Sequence, residues 1–299
     1  MEADAPPRPL SEAPAASAPD YPHYHALVGA CRILQRAHVP FGVVTRRDLD
    51  RLARWPVIVL PNIERLGDDE IESLRDYVAG GGKLYASRGA FLGAEVHGCR
   101  VEGVEDGRTL YVDVHGARSI AHPAKGVRRL VLEGGEALAT LTLPYGYPHG
   151  GTVEDGKFAS IHSSPPWRRT HRPLVVRNGG AIYSAVDLEA GGTPEHDALF
   201  LDLLRKLMPP PIISADTHPQ IWLSAFAQPG LTTIMLLNYP PEEPALPVPS
   251  TRIRLRLPTG ATCRAVRRGE VIDFAQDADI VSFDAGPIEE FAMIAVEHG

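Results

Sequence analysis

Between Tyr21 and Ser87, amphipathic helical patterns alternate with short, unbroken apolar runs, and this alternation constrains the fold more than any other feature of the chain. Leu27, Cys31 and Leu34 recur at i, i+4 and i+7, the spacing of one helical face, and the pattern stops before Pro40. FGVV (residues 41–44) is a short apolar run, and DLDRLARW (48–55) predicts a short helix. PVIVLPN (56–62) predicts a strand buried on both faces, as in a parallel sheet. GDDEIESLRDYVAGGG predicts a second full helix: Asp68, Asp69 and Glu70 favour its positive N-terminus, and Ile71, Leu74 and Val78 form its buried stripe. Gly80, Gly81 and Gly82 supply a left-handed exit. KLYAS (83–87) is the next strand, and the rhythm as a whole predicts a doubly wound, flavodoxin-like α/β sheet.

The pattern then turns β-rich. TLYVDV, RRLVLE and ALATLTL are separated by Gly and Pro, KFASIH (157–162) reads as a strand, and PLVVR and AIYSAVDL form a hairpin across Asn178, Gly179 and Gly180. EHDALFLDLLRKL closes the unit as a helix, and Pro209, Pro210 and Pro211 make a stiff boundary. Beyond them only short strands follow. Arg252, Arg254 and Arg256 alternate with Ile253, Leu255 and Leu257, the period of a half-buried strand, so residues 212–299 predict an antiparallel β-sandwich. The α/β unit spans 21–208. Residues 1–20, rich in Pro and Ala, predict disorder.

Composition narrows the function classes. A length of 299 residues suits two cores better than one. A net charge of −7 lacks the basic footprint of a nucleic-acid binder. Cys31, Cys99 and Cys263 are too far apart for a disulfide framework or a zinc cluster, which points to a reducing, cytoplasmic setting. Neither a secretory leader nor a membrane-spanning run is written in the chain.

The succession HALVGACRILQRAHVPFGVV, DLDRLARWPVIVLPN and DEIESLRDYVAGGGKLYAS resembles the β-galactosidase trimerisation domain. This is the class I glutamine amidotransferase-like middle domain of glycoside hydrolase family 42 and related glycosidase-like proteins. FASIHSSPPWRRTHRPLVVRNGGAIYSAVDLE is similar to a later segment of those relatives, and the LLNYP strand end looks like part of the small β-domain that follows. The resemblance implies a homo-oligomer, a trimer by analogy, or a separate catalytic barrel as partner, with carbohydrate as a possible ligand. It also implies an absence. Such enzymes carry their two carboxylates on an N-terminal (β/α) barrel of roughly 200 residues or more. Here about twenty residues precede the α/β unit. The expectation is the C-terminal part of a longer glycosidase-like protein, or a chain whose start lies inside the domain. The first, central strand of such a sheet is then missing, because residues 1–20 hold no β-branched run, and a gap is expected in its place.

The same resemblance locates candidate chemistry. Amidotransferases proper carry a Cys nucleophile on the turn after a strand, served by a His and a Glu at the end of a later one. Here the turn reads Ser87-Arg88-Gly89-Ala90, and Asp187 and Glu189 stand where the His is expected. Ser87 has no GxSxG elbow. Asp187 and Glu189, two apart, would share a strand face as a carboxylate pair, or act as caps and ion-pair partners. His162, followed by Ser163, Ser164 and Trp167, could form a sugar-contacting loop or plug an interface. Arg168, Arg169 and Arg172 around His171 form a basic cluster that would attract anions or face solvent or an interface, His23 and His25 are a metal pair lacking a third ligand or a frayed helix start, and Cys99 is a thiolate slightly favoured by Arg100 or a bystander thiol. The expectation is a non-catalytic unit without cofactor or metal, with Arg88, His162, Trp167, Asp187 and Glu189 as sugar or interface contacts. An independent hydrolase around Ser87, Arg88, His162 and Asp187, or a carbohydrate-binding module using Trp222 and Tyr239, is the alternative.

Overall fold

A computed structural model describes residues 22–105, 109–123, 126–145, 165–240, 245–258 and 263–299. In chain order it contains α1 (Pro22–Arg36), β1 (Val57–Leu60), α2 (Asp68–Ala79), β2 (Lys83–Ser87), the short α3 (Ala94–His97), β3 (Cys99–Glu105), β4 (Leu110–Val114), β5 (Arg118–His122) and β6 (Val127–Leu132). β7 (Glu136–Pro144), β8 (Pro166–Asn178), β9 (Ala181–Ser184) and α4 (Pro194–Arg205) complete the first unit. The second is all strand: β10 (Ile213–Asp216), β11 (Ile221–Gln228), β12 (Leu231–Asn238), β13 (Arg252–Arg256), β14 (Cys263–Arg267), β15 (Glu270–Val271), β16 (Phe274–Asp277), β17 (Ile280–Asp284) and β18 (Phe291–His298). No helix among the described residues is long and apolar enough to cross a membrane.

The first unit is mixed α/β, with more strand and less helix than the sequence rhythm predicts. Its seven-stranded sheet runs β1-β2-β9-β8-β7-β4-β5, and only β1, β2 and β9 are parallel to one another. The other four strands extend it antiparallel. Repeated register shifts along β7 and β8 bend that half of the sheet, because each bulge increases the local twist. The hairpin predicted across Asn178–Gly180 is present, with Val175 opposite Ser184. β8 starts earlier than expected, so Trp167, Arg168, Arg169 and Arg172 lie on a strand and not in a loop. The predicted strand at 157–162 lies outside the described residues.

Local chemistry accounts for the helices that pack on this sheet. Residues 46–54 form a 3-10 helix capped by Thr45, whose side chain accepts from the Arg47 N–H while Asp48 accepts from the Thr45 N–H. In α2, Leu74 and Tyr77 are buried while Ile71 and Val78 are only half-buried, and the left-handed exit falls on Gly81 (φ 94°). In α1 the buried groups are Ala26, Ala30, Ile33 and Leu34. Leu27, expected inside, is 42% exposed. The core joins Ile33, Tyr85, Tyr183 and Phe200, with the Tyr85 and Phe200 rings edge to face at 5.1 Å.

α1 comes within backbone distance of the turn Leu188–Ala190. A Cβ on Gly29 would lie 1.9 Å from the Glu189 carbonyl oxygen, so only glycine allows this approach. Gly29→Ala is expected to push α1 off the turn at a cost of about 2 kcal/mol, read as a lower urea midpoint. An unchanged midpoint would mean that α1 does not pack there.

The second unit has its own core around Ile234, Leu236, Ile253, Val281 and Ile294. Two antiparallel sheets enclose it, β10-β13-β17-β16 and β11-β12-β18-β14-β15. The predicted alternation on β13 holds: Ile253 and Leu255 are buried, while Arg252, Arg254 and Arg256 face outward.

Candidate functional site

Three parallel strands end side by side, and the carboxyl ends of such strands are where open α/β sheets collect functional groups. β2 ends at Ser87, β9 leads into Asp187 and the 3-10 turn containing Glu189, and β1 leads to Asn62. Asn62 (φ 47°) and Arg88 (φ 38°) both leave their strands in the left-handed region, which Asn tolerates and Arg does not. Arg88 is held there from both sides. Its N–H donates to the Ser184 carbonyl at 2.8 Å, and its own carbonyl accepts from the Tyr183 hydroxyl at 2.6 Å.

Two linked hydrogen-bond systems fill the space. In the first, Ser87 Oγ donates to Glu189 Oε1, Tyr85 Oη donates to Glu189 Oε2 at 3.1 Å, and the Asn62 N–H donates to Ser87 Oγ at 2.9 Å. In the second, Asp187 Oδ2 accepts from Arg88 Nη1 at 3.0 Å and from Asn62 Nδ2 at 3.4 Å. On its other oxygen, His122 Nε2 lies 3.3 Å from Asp187 Oδ1, His122 Nδ1 lies 3.1 Å from His196 Nε2, and Thr193 Oγ1 lies 2.8 Å from His196 Nδ1. With both imidazoles neutral, one proton arrangement satisfies every contact: Thr193 donates to His196, His196 to His122, and His122 to Asp187.

Burial sets the electrostatics. Glu189, 1% exposed, has its carboxyl pushed up to about 7, chiefly by desolvation, against the pull of the Ser87 hydroxyl. His196, equally buried, is pushed down to about 4 by desolvation and then by His122. For Asp187 burial is the largest single influence and acts upward. The hydrogen bond from His122 and the charge of Arg88 outweigh it together and hold the carboxyl below its ordinary value. Ser87 is fully buried, and its hydroxyl donates to a carboxylate while accepting from a backbone amide. Among the described residues no histidine bonds to it, and burial leaves its hydroxyl little open face for a substrate.

Of the residues expected from the sequence, Arg88, Asp187 and Glu189 converge here. Asp187 and Glu189 lie past the end of β9, which stops at Ser184, and their carboxylates serve different partners, so they are not a pair on one strand face. Trp167 stands on β8 with its ring 6.1 Å from Tyr145, both well exposed. His162 lies outside the described residues. The basic cluster is partly spent on ion pairs, Arg169 with the buried Asp113 at 3.1 Å and Arg172 with Glu105 at 2.5 Å. Cys99 is fully buried with its thiol pushed up to about 11, first by desolvation and then by Glu133, which reverses the effect expected of Arg100. No three metal-ligating side chains gather among the described residues. Sequence reasoning missed Asn62, His122, His196 and Thr193. None carries a local motif, and up to 125 residues separate the bonded partners.

A scan against protein-family models and a search of curated protein sequences return no match. Solved structures share the fold at low identity. α-L-Fucosidase isoenzyme 2 from Paenibacillus thiaminolyticus is 20% identical with a TM-score of 0.77, over 92% of this chain and 45% of that one. The GH42 β-galactosidase Gan42B from G. stearothermophilus is 16% identical with a TM-score of 0.58, over 95% and 37%. The β-galactosidase from Bacillus circulans sp. alkalophilus is 13% identical with a TM-score of 0.57, over 91% and 37%. The chain thus spans less than half the length of the glycosidases whose fold it shares.

Proposed function

We propose that this chain is a non-catalytic assembly and accessory unit of a β-galactosidase-like glycosidase system, built on an amidotransferase-like trimerisation domain. One observation carries the reading: among the described residues, the polar side chains at the strand ends where this fold gathers functional groups are buried or, for Arg88, half-buried, and are bonded to one another. Likeness in fold to parts of glycosidases supports it.

An assembly role also suits the outer face of the second unit. Register places Trp222, Leu237 and Phe291 on one rung of β11, β12 and β18, and Met235 and Met293 two residues along. Leu237, Phe291 and Met293 are exposed, a contiguous apolar strip of the kind that marks protein contact sites. The expected result for the purified chain is no turnover of nitrophenyl β-galactoside or α-L-fucoside, together with self-association in size-exclusion chromatography with light scattering. Turnover abolished by Ser87→Ala would establish the alternative of an independent hydrolase. A clean monomer at micromolar concentration would remove the oligomer.

A further inference from the structure

We infer that the outer face of the β11-β12-β18-β14-β15 sheet is a two-fold interface to a second copy of this chain, with Met293 beside the symmetry axis. The inference rests on the assembly role proposed above and names the contact that role uses. An antiparallel sheet that meets water on one side alternates apolar and polar residues along each strand. The sheet β10-β13-β17-β16 obeys this rule: Arg252, Arg254 and Arg256 point outward on β13, with Asp216 and Asp284 flanking Arg252, and Ser214 and Ser282 flanking Arg254.

The facing sheet breaks it. In β12 and β18 every second residue is buried in the core, Ile234 and Ile294 among them, yet the outward positions hold Met235, Leu237, Phe291 and Met293. Apolar residues on both sides are the pattern of a strand covered on both faces. The strip widens on a third rung, where Phe226, Thr233, Ala295, Val266 and Val271 lie across all five strands. Tyr239 joins it, its ring edge to face with Trp222 at 5.3 Å.

Charge and area identify the occupant as a second copy. No residue of these three rungs is charged, and the fourth carries Arg264 and Glu297, 3.5 Å apart, which offset one another. With a net charge of −7, two copies repel over much of their surface, but on this face they meet without opposing like charges. Covering an aromatic side chain removes roughly 150–250 Å² from water. Phe226, Tyr239 and Phe291 are 57%, 54% and 43% exposed, and Leu237, Met293 and Val271 are similarly open. One copy therefore offers roughly 500–600 Å² of apolar surface and two roughly 1,000–1,200 Å², which reaches the minimum of about 1,000 Å² for a specific interface. A closed two-fold contact uses the same patch on both partners, so the patch must complement itself. Two uncharged pleated faces do so by stacking with interleaved side chains, as the two sheets do inside this unit. β18 is the central strand of the five, Met293 lies midway along the apolar rungs, and methionine adapts readily to its own image, so the axis falls there.

The test is analytical ultracentrifugation of the full chain across micromolar concentrations. The parent should dimerise. Met293→Lys alters an exposed side chain and sets two like charges at the axis, so it should keep the parent's circular dichroism while the dimer dissociation constant rises at least a hundredfold. Arg254→Glu, on the outer face of the other sheet, should leave that constant unchanged. Met293→Cys should form a disulfide-linked dimer on oxidation with copper phenanthroline, under conditions where the parent with its native cysteines does not. A parent that stays monomeric removes this interface and the oligomer of the assembly role together. Self-association that persists in Met293→Lys, or a Met293→Cys chain that does not cross-link, overturns this interface alone and moves assembly to another face. Glycosidase turnover by a dimeric chain removes the accessory role and leaves the interface standing.

Discussion

Replacing Asp187 by alanine should cost about 3–5 kcal/mol, because it leaves the half-buried Arg88 guanidinium without its counter-charge and the buried His122 ring N–H without its acceptor. In a domain of this size that corresponds to a fall in melting temperature of roughly 10 °C. Asp187→Asn, which keeps one oxygen acceptor, should lose less. The measurement that decides is thermal unfolding beside a glycosidase assay. A role in packing requires the stability loss. Unchanged stability with loss of a measured activity would instead make Asp187 a catalytic residue and sink the structural account.

Glu189→Gln should change how stability depends on pH. The Glu189 carboxyl titrates near 7 in the fold, against an ordinary 4.5. Its folded-state value is therefore raised, so its favourable contribution is fully present below about pH 4.5 and is lost as pH rises to 7. The span is worth about 3 kcal/mol. His196 acts in the opposite sense. Desolvation lowers it from 6.5 to about 4, so its contribution is present above 6.5 and is lost as pH falls towards 4. His97, wedged beside the rings of Phe91 and Tyr183 and lowered by burial to about 3, adds to the acid-side loss. The parent chain thus hides the Glu189 trend beneath the two histidines. The stability of the Gln variant relative to the parent exposes it, and should rise by about 3 kcal/mol between pH 4.5 and 7 in urea titrations. A difference that is flat with pH would show that Glu189 is ionised freely in the fold.

These two carboxylates also mark where sequence reasoning stops. Asp187 and Glu189 could be picked out by their place after a predicted strand, and Arg88 by its place on the turn after KLYAS. What they bond to could not. His122 ends an antiparallel strand whose position depends on the bulged β7–β8 ladder, and His196 sits on α4, so their meeting with Asp187 is a product of sheet order. The helix–strand rhythm predicted a doubly wound sheet. Only the first strands of the unit and β9 keep parallel order, because the middle of the chain is rich in β-formers that pair antiparallel by short turns.

What the sequence determined by itself is local: the positions of α1, β1, α2, β2 and the β8–β9 hairpin, and the alternation of Arg252–Leu257. Each follows from a period of 3.6 or 2, or from Gly and Pro punctuation, and needs no distant partner. The tertiary structure decided the rest. It buried Ser87, Asp187 and Glu189 where open chemistry could have stood, and turned Leu27 away from the core. Among the described residues it also left one edge of β1 without a paired strand. Those outcomes depend on which strand lies beside which, a property of long-range packing that no window of the sequence contains.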